Sequence, residues 1–110
     1  MASLQFIEFH ADIRYFMDAG RIFCLHQADP YALPIKLNRR ASIFWALFSD
    51  GMSVQNALNE YCCRLSVSKS DAEADFKAFT KIIFEHNLAR ETKRAPNNRF
   101  GEISLPGEVY

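Results

Sequence analysis

The sequence has little of what several classes of protein require. Its 110 residues include only four glycines, four prolines and three cysteines, and its thirteen basic and thirteen acidic side chains cancel. No stretch approaches the ~18 to 20 consecutive apolar residues of a membrane span, so we expect no membrane partner. A chain without net charge attracts nucleic acid only weakly over long distances, which argues against a nucleic-acid partner.

The N-terminal segment lacks the layout of a signal peptide, because Gln5, Glu8 and His10 interrupt its apolar residues. We therefore expect a cytoplasmic protein. With 49% hydrophobic residues, including ten phenylalanines, the chain is long enough to bury one small, aromatic-rich core. One domain is the simplest interpretation of this length.

The residue types that bind metals are poorly placed. Cys62 and Cys63 are adjacent and Cys24 is isolated, so neither a disulfide framework nor a closed metal site is easily built. We expect reduced thiols that pack as small buried hydrophobes. The three histidines lie far apart in the chain: His10, His26 and His86. Only the tertiary fold could bring two of them together, and the sequence predicts neither a metal nor another cofactor.

Signatures of catalysis are missing as well. The sequence contains no G-x-S-x-G, no P-loop and no G-x-G-x-x-G, and its glycines stand alone at turn positions. The carboxylates of Asp71, Glu73 and Asp75 fall in the first turns of a predicted helix, where the helix dipole stabilises them without any catalytic role. We therefore predict that the protein is not an enzyme.

The first third of the chain has the composition of β-strands. Residues 4–17 are rich in aromatic and β-branched types and are broken around 10–12, which predicts one or two extended segments. A turn at 18–20 and a returning strand over 21–26 make a hairpin. Prolines then force a loop, after which a short third strand is predicted over 35–37.

Helical patterns follow over residues 39–86. Three polar residues stand where helix N-caps are expected: Asn38, Ser53 and Ser70. The first helix should end at residues 50–51 and the second near Ser66, each with an apolar stripe at helical spacing. In the third helix Glu73 would complete a capping box with Ser70, and the helix should run to His86.

These elements predict an α+β fold with a small three-stranded antiparallel sheet followed by three helices, of which the second and third could form a helix-turn-helix. After Leu88 the composition becomes polar, with too few large apolar side chains to offset the entropy of ordering the chain. We expect a folded domain over residues 1–90 and a flexible tail over 91–110.

The central part of the chain resembles the PqqD family. The resemblance rests on Pro34-Ile35-Lys36-Leu37-Asn38, followed at matching spacing by Ala41, Ile43, Phe44, Trp45, Leu47, Asp50-Gly51, Ser53-Val54, Ala57, Leu58 and Tyr61. It continues through Ala74-Asp75-Phe76, Phe79 and Ile83 to Asn87-Leu88. The sequence departs from the family pattern at Asp29-Pro30-Tyr31 and at Arg39-Arg40. It also has Asn87 at a position where the family usually has glycine.

The family comprises recognition elements for the precursors of ribosomally made, modified peptides, including the chaperone of pyrroloquinoline quinone biosynthesis and leader-binding proteins of lasso-peptide pathways. The resemblance implies a winged-helix-like fold that binds a leader peptide as an extra strand beside the third strand, against the third helix. It also implies a partner enzyme that receives the peptide, often of the radical-SAM class.

Transferred to this sequence, the resemblance and the helical spacing predict a peptide-binding site. The backbones of Ile35, Lys36 and Leu37 would form the edge to which a leader adds, because an edge strand exposes unpaired amide and carbonyl groups. The third helix would contribute the remaining residues: Asp75, Ala78, Phe79 and Ile82. Asp75 would accept a basic residue of the leader, and Thr80 and Phe84 form the rival flank of that helix.

The same residues are compatible with two other functions. A transcription factor would use the helix-turn-helix and would bind DNA with a steep salt dependence. A non-catalytic assembly subunit would form a stable oligomer without affinity for a free peptide. The sequence is compatible with either a monomer or a strand-swapped dimer.

Overall fold

The computed structural model describes residues 5–103. Its elements follow in this order: β1 (Phe6–Phe9), β2 (Ile13–Asp18), β3 (Arg21–His26), β4 (Ile35–Lys36), α1 (Arg39–Ser49), α2 (Val54–Leu65), α3 (Lys69–Glu85), β5 (Ala89–Thr92) and a short 3₁₀ helix (Asn98–Gly101). The predicted α+β fold, with its three-stranded antiparallel sheet and three helices, is confirmed. None of the helices in residues 5–103 is long and apolar enough to cross a membrane.

The three-stranded sheet has the order β2-β3-β4, with antiparallel pairs throughout. The hairpin between β2 and β3 turns at Ala19 and Gly20, whose φ angles of 52° and 76° are both positive. Positive φ at both central residues gives the turn a twist that matches the flanking strands. The predicted hairpin is therefore confirmed, and β4 is left at one edge of the sheet.

A second sheet consists of two strands that are far apart in sequence. β1 pairs antiparallel with β5, and Phe6 lies opposite Thr92. The break predicted around residues 10–12 is confirmed as the turn that separates β1 from β2. The strand β5, which pairs with β1, was not expected, because the segment after residue 88 carries few apolar side chains.

The helix ends follow local signals, with one exception. Asn38 and Ser53 cap α1 and α2 as predicted, and each side chain accepts a backbone N–H of the first turn. The third helix begins earlier than predicted: Ser68, and not Ser70, accepts the N–H of Asp71. A serine at either position can cap, and Ser68 adds two residues to the helix. After α3, Asn87 has a φ of 55°, the left-handed geometry that ends many helices.

Aromatic side chains fill the core between α1, α2 and α3. Phe44 stacks on Tyr61 with ring centroids 4.1 Å apart, and Phe48 stacks on Phe79 at 5.9 Å. Between β1 and α1, Phe9 stacks on Trp45 with ring centroids 3.9 Å apart. These buried rings remove a large apolar area from water and fix α1 between the sheet and the other two helices.

The segment after residue 90 differs from the predicted flexible tail as far as residue 103. β5 extends to Thr92, and Asn98 is only 1% exposed. The Asn98 side chain accepts the N–H of Phe9 at 2.8 Å and donates to the carbonyls of Ile7 and Phe48 at 2.8 and 2.7 Å. Hydrogen bonds hold this polar segment where apolar burial is scarce. Residues 104–110 of the predicted tail lie outside the described residues, and the domain boundary stays a prediction.

The cysteines are free thiols in three different environments. Cys24 is buried, Cys62 is half-buried and Cys63 is exposed. The expectation of small buried hydrophobes is therefore wrong for Cys63. Burial raises the pKa of the Cys24 thiol to about 12, because the thiolate would be poorly solvated in the core.

Candidate functional site

The edge strand β4 has one residue whose backbone is directed away from the sheet. The N–H of Leu37 donates to the carbonyl of Ile22 at 2.8 Å. In an antiparallel ladder, hydrogen-bonded and non-bonded pairs alternate, so the next pair, Lys36 with Phe23, is non-bonded. The N–H and C=O of Lys36 therefore point to the open side of β4.

The two neighbours of Lys36 are oriented the other way. Ile35 lies opposite Cys24, two positions beyond the bonded pair of Leu37 and Ile22, so its backbone groups face β3. Leu37 is also only 2% exposed, and its side chain is part of the core. The edge predicted over residues 35–37 thus presents a single outward N–H, that of Lys36.

Two contacts join α3 to the elements that precede and follow β4 in the chain, β3 and α1. Arg40, in the first turn of α1, places Nη1 2.9 Å from Oδ2 of Asp75, in the second turn of α3. At the other end, Nε2 of His26 in β3 lies 3.0 Å from the carbonyl of His86, which follows α3. At the usual rise of a helix, residues 75 to 86 span about 16 Å. The space between the edge of β4 and this stretch of α3 is called the β4–α3 groove below.

The predicted residues of α3 lie in different environments. Ala78 is exposed and Ile82 is half-buried, and helical spacing places both on the same flank as Asp75. Phe79 is only 1% exposed and packs on Phe44 and Phe48, so its side chain belongs to the core and does not reach the groove.

The opposite flank of α3 faces a different part of the molecule. Phe76 lines a cavity of about 570 Å³ together with Phe6 of β1 and with Val54 and Leu58 of α2. This side of the helix is thus turned toward β1 and α2. The sequence left two flanks of α3 as candidates. The flank with Ala78 and Ile82 lies on the same side of the helix as Asp75, which contacts Arg40.

The carboxylate of Asp75 already has partners within the protein. Its Oδ2 atom accepts hydrogen bonds from Arg40 at 2.9 Å and from the hydroxyl of Tyr61 at 2.7 Å. Burial, and then the adjacent carboxylate, raise the pKa of Tyr61, so the hydroxyl remains protonated and donates. A basic residue of a peptide would have to compete with Arg40 for this carboxylate. The geometry gives Asp75 a role in joining α1, α2 and α3.

Sequence reasoning gave no role to the exposed apolar residues beside β4. Tyr31 and Leu33 are 90% and 82% exposed in the loop that leads into the strand. On the outer face of the sheet, Phe16 stacks on Phe23, and Nζ of Lys36 lies 5.4 Å from the centre of the Phe23 ring. The only signal in the sequence was the departure of this loop from the PqqD pattern at residues 29–31.

The comparison with solved structures identifies a protein of similar architecture. The fold resembles that of TbiB1. A structure of TbiB1 in complex with the TbiA(beta) leader peptide matches with a TM-score of 0.69 at 16% sequence identity, over 79% of this chain and 99% of that chain. No protein-family model and no curated protein matches the sequence. The likeness to TbiB1 is one of fold, and the resemblance to the PqqD family stays a prediction.

Proposed function

We propose that this protein binds the leader segment of a ribosomally made precursor peptide by strand addition at the edge of β4. The observation that carries the proposal is the outward N–H and C=O of Lys36 at an edge of the three-stranded sheet. A fold shared with TbiB1, which was solved with a leader peptide, supports it. Strand addition suits a disordered leader, because main-chain hydrogen bonds supply affinity for many sequences.

The groove sets the length and the character of the bound segment. A leader that runs along residues 75–86 of α3, a span of about 16 Å, would contact this stretch over about five extended residues at 3.3 Å each. A leader residue opposite Lys36 would exchange two hydrogen bonds with it, as in a bonded antiparallel pair. Ala78 and Ile82 leave an apolar surface on α3, so we propose small or aliphatic leader side chains on that side.

We further propose that the protein is a non-catalytic partner that presents the bound leader to a modifying enzyme, which the family resemblance suggests is of the radical-SAM class. The loop residues Tyr31 and Leu33 adjoin β4 and are almost fully exposed. Tyrosine is enriched where proteins contact partners, and adjacent exposed apolar side chains mark interaction sites. Contact with this loop would let an enzyme approach the leader as it leaves the groove.

Calorimetric titration with synthetic leader segments tests the function. The segments are taken from small precursor peptides encoded beside the gene, and each is titrated at low and at high salt. We expect one-to-one binding to one such leader with little salt dependence, because main-chain hydrogen bonds and apolar contacts dominate the groove. Failure to bind any of these segments would refute the proposal. Salt-sensitive binding to DNA instead would favour a regulator.

Substitutions on the two flanks of α3 test the side of the helix that the leader uses. We expect Ile82→Ala to weaken leader binding by about 1 kcal/mol, or about fivefold, because it removes apolar surface from the groove. Phe84→Ala is the matched control, since Phe84 is also apolar and 39% exposed but lies on the other flank. If Phe84→Ala weakened binding and Ile82→Ala did not, the leader would bind against the other flank of α3.

A further inference from the structure

The fold brings together two histidines and a carboxylate that are unrelated in sequence spacing. His10 and Asp12 lie in the turn between β1 and β2, and His26 ends β3. One potential ligand atom from each of the three side chains lies within 4.8 Å of the other two. Sequence spacing could not predict this cluster, since 16 positions separate His10 from His26 and only the pairing of β2 with β3 joins them.

Backbone hydrogen bonds fix the segments that carry these side chains. The N–H of His10 donates to the carbonyl of Leu88 at 2.8 Å, and the N–H of Ile13 donates to the carbonyl of His10 at 3.0 Å. The N–H of Gln27 donates to the carbonyl of Asp12 at 2.9 Å. The turn is thereby tied both to the end of β3 and to the segment after α3. A scaffold held in this way places its side chains with little loss of entropy when a ligand binds.

The hydrogen bond of His26 determines which of its ring nitrogens is free. Nε2 lies 3.0 Å from the carbonyl oxygen of His86, which can only accept, so Nε2 carries the hydrogen. In the neutral ring, Nδ1 then has a bare lone pair, and it faces Oδ2 of Asp12 at 3.6 Å. Histidines that bind metals usually donate their other ring N–H to a carbonyl or carboxylate in this manner.

We propose that His10, Asp12 and His26 form a site for a divalent transition-metal ion, with Zn²⁺ as the best match. Two imidazole nitrogens and a carboxylate oxygen are a donor set that zinc prefers. Ligand atoms bound at about 2.1 Å in a tetrahedron lie about 3.4 Å apart, close to the His26 to Asp12 separation. His10 is exposed, and its Nδ1 accepts the N–H of Asp12 at 3.2 Å, a hydrogen bond that the ring would give up to bind the ion.

Three protein ligands leave one tetrahedral position of zinc open. Water, or a donor atom from a second molecule, would take this position, as in zinc sites that are not purely structural. The site lies where β3 meets the end of α3, beside the contact between His26 and His86 that bounds the β4–α3 groove. The cysteines are not members of the cluster, so the zinc would have only nitrogen and oxygen donors from the protein.

The proposal competes with a plain ion pair between His26 and Asp12. A protonated His26 would donate from both nitrogens, but the 3.6 Å separation from Asp12 is longer than a hydrogen bond. An ion pair does not involve the side chain of His10, whose Nδ1 accepts the N–H of Asp12 at 3.2 Å and whose ring lies 5.8 Å from that of His26. The two interpretations therefore make different predictions for removal of His10, which only a metal site would require.

Titration of tag-free protein with zinc chloride tests the site, with calorimetry for affinity and with cobalt chloride for the ligand set. We expect one saturable site, and we expect His10→Ala and His26→Ala each to weaken it about tenfold or more. His86→Ala is the matched control, because His86 contacts the cluster through its backbone carbonyl. Cys63→Ser controls for the exposed thiol, and circular dichroism checks that each variant is folded.

The outcomes are distinguishable. Cobalt absorption bands without a thiolate charge-transfer band, together with loss of binding in His10→Ala, would support the site. Unchanged zinc affinity in His10→Ala, loss of binding in Cys63→Ser, or no saturable binding to the unmodified protein would each overturn the proposal. None of these measurements requires a leader peptide, so the result is independent of the proposed leader binding.

Discussion

Replacement of Asn98 by alanine is expected to lower the free energy of unfolding by about 3 to 5 kcal/mol. Asn98 is buried, and its side chain makes three hydrogen bonds, to the backbone of Ile7, Phe9 and Phe48. Alanine leaves the N–H of Phe9 and the carbonyl of Ile7 without these partners, whereas the carbonyl of Phe48 still accepts the N–H of Gly51 at 3.0 Å. Each unsatisfied buried group costs about 1 to 3 kcal/mol. Small domains are stable by only about 5 to 15 kcal/mol, so the loss is large.

Urea denaturation, followed by circular dichroism, measures this loss. Asn97→Ala is the matched control, because Asn97 is exposed and makes no side-chain cap hydrogen bond. An exposed substitution of this kind should change the free energy of unfolding by less than about 0.5 kcal/mol. If Asn98→Ala were as stable as Asn97→Ala, the segment around the 3₁₀ helix would not be part of the folded core.

The substitution Lys36→Pro is expected to weaken leader binding by about 10- to 100-fold while the protein stays folded. Proline removes the outward N–H of Lys36 and leaves a leader carbonyl without its donor, at a cost of about 1 to 3 kcal/mol. Within the protein the loss is small, because this N–H does not face β3. Proline is tolerated at an edge strand when its nitrogen is on the open side.

Two variants separate the backbone effect from other causes. Lys36→Ala keeps the N–H but removes the ammonium that lies over the Phe23 ring, so its leader affinity reports on the side chain alone. An ester bond in place of the Lys36 amide, made by semisynthesis, deletes the N–H without the proline ring. Calorimetry that finds native affinity in both the proline and the ester variants would refute strand addition at this edge. Leu37→Pro is not a suitable test, because the N–H of Leu37 bonds to Ile22.

The local structure of the chain was largely predictable. Gly20 marked the hairpin turn, and Asn38 and Ser53 marked helix starts. Each of these signals depends on the φ angle or side-chain hydrogen bond of one residue and its immediate neighbours. The start of α3 was placed two residues late because Ser68 and Ser70 are both competent caps and only one is used.

The parts that were missed depend on contacts between distant residues. β1 and β5 pair residues that are 80 to 86 positions apart, and the side chain of Asn98 bonds to Phe9 and Ile7, 89 and 91 positions away. Composition predicted a flexible segment after residue 88, because it reflects how many apolar side chains can be buried and not which hydrogen bonds form in the core. The cluster of His10, Asp12 and His26 was not predicted either, because only the tertiary fold brings these residues together.

The elements that carry the candidate site, β4 and α3, were predictable, but their detailed geometry was not. The family pattern at residues 34–38 pointed to the edge strand, and helical spacing gave the stripe of Ala78 and Ile82. The direction of each backbone group depends on the register of β4 against β3, which no local signal specifies. The burial of Phe79 and the pairing of Asp75 with Arg40 likewise follow from packing of α3 on α1.

Hydrogen exchange of individual backbone amides, measured by NMR in the free and the leader-bound protein, tests strand addition at β4 most directly. The amide of Lys36 should exchange quickly in the free protein and become strongly protected when the leader binds, because it gains a ladder partner. The amide of Leu37 should be protected in both states, since it already donates to Ile22. Saturating leader that leaves Lys36 exchanging quickly, with new protection elsewhere, would contradict the account.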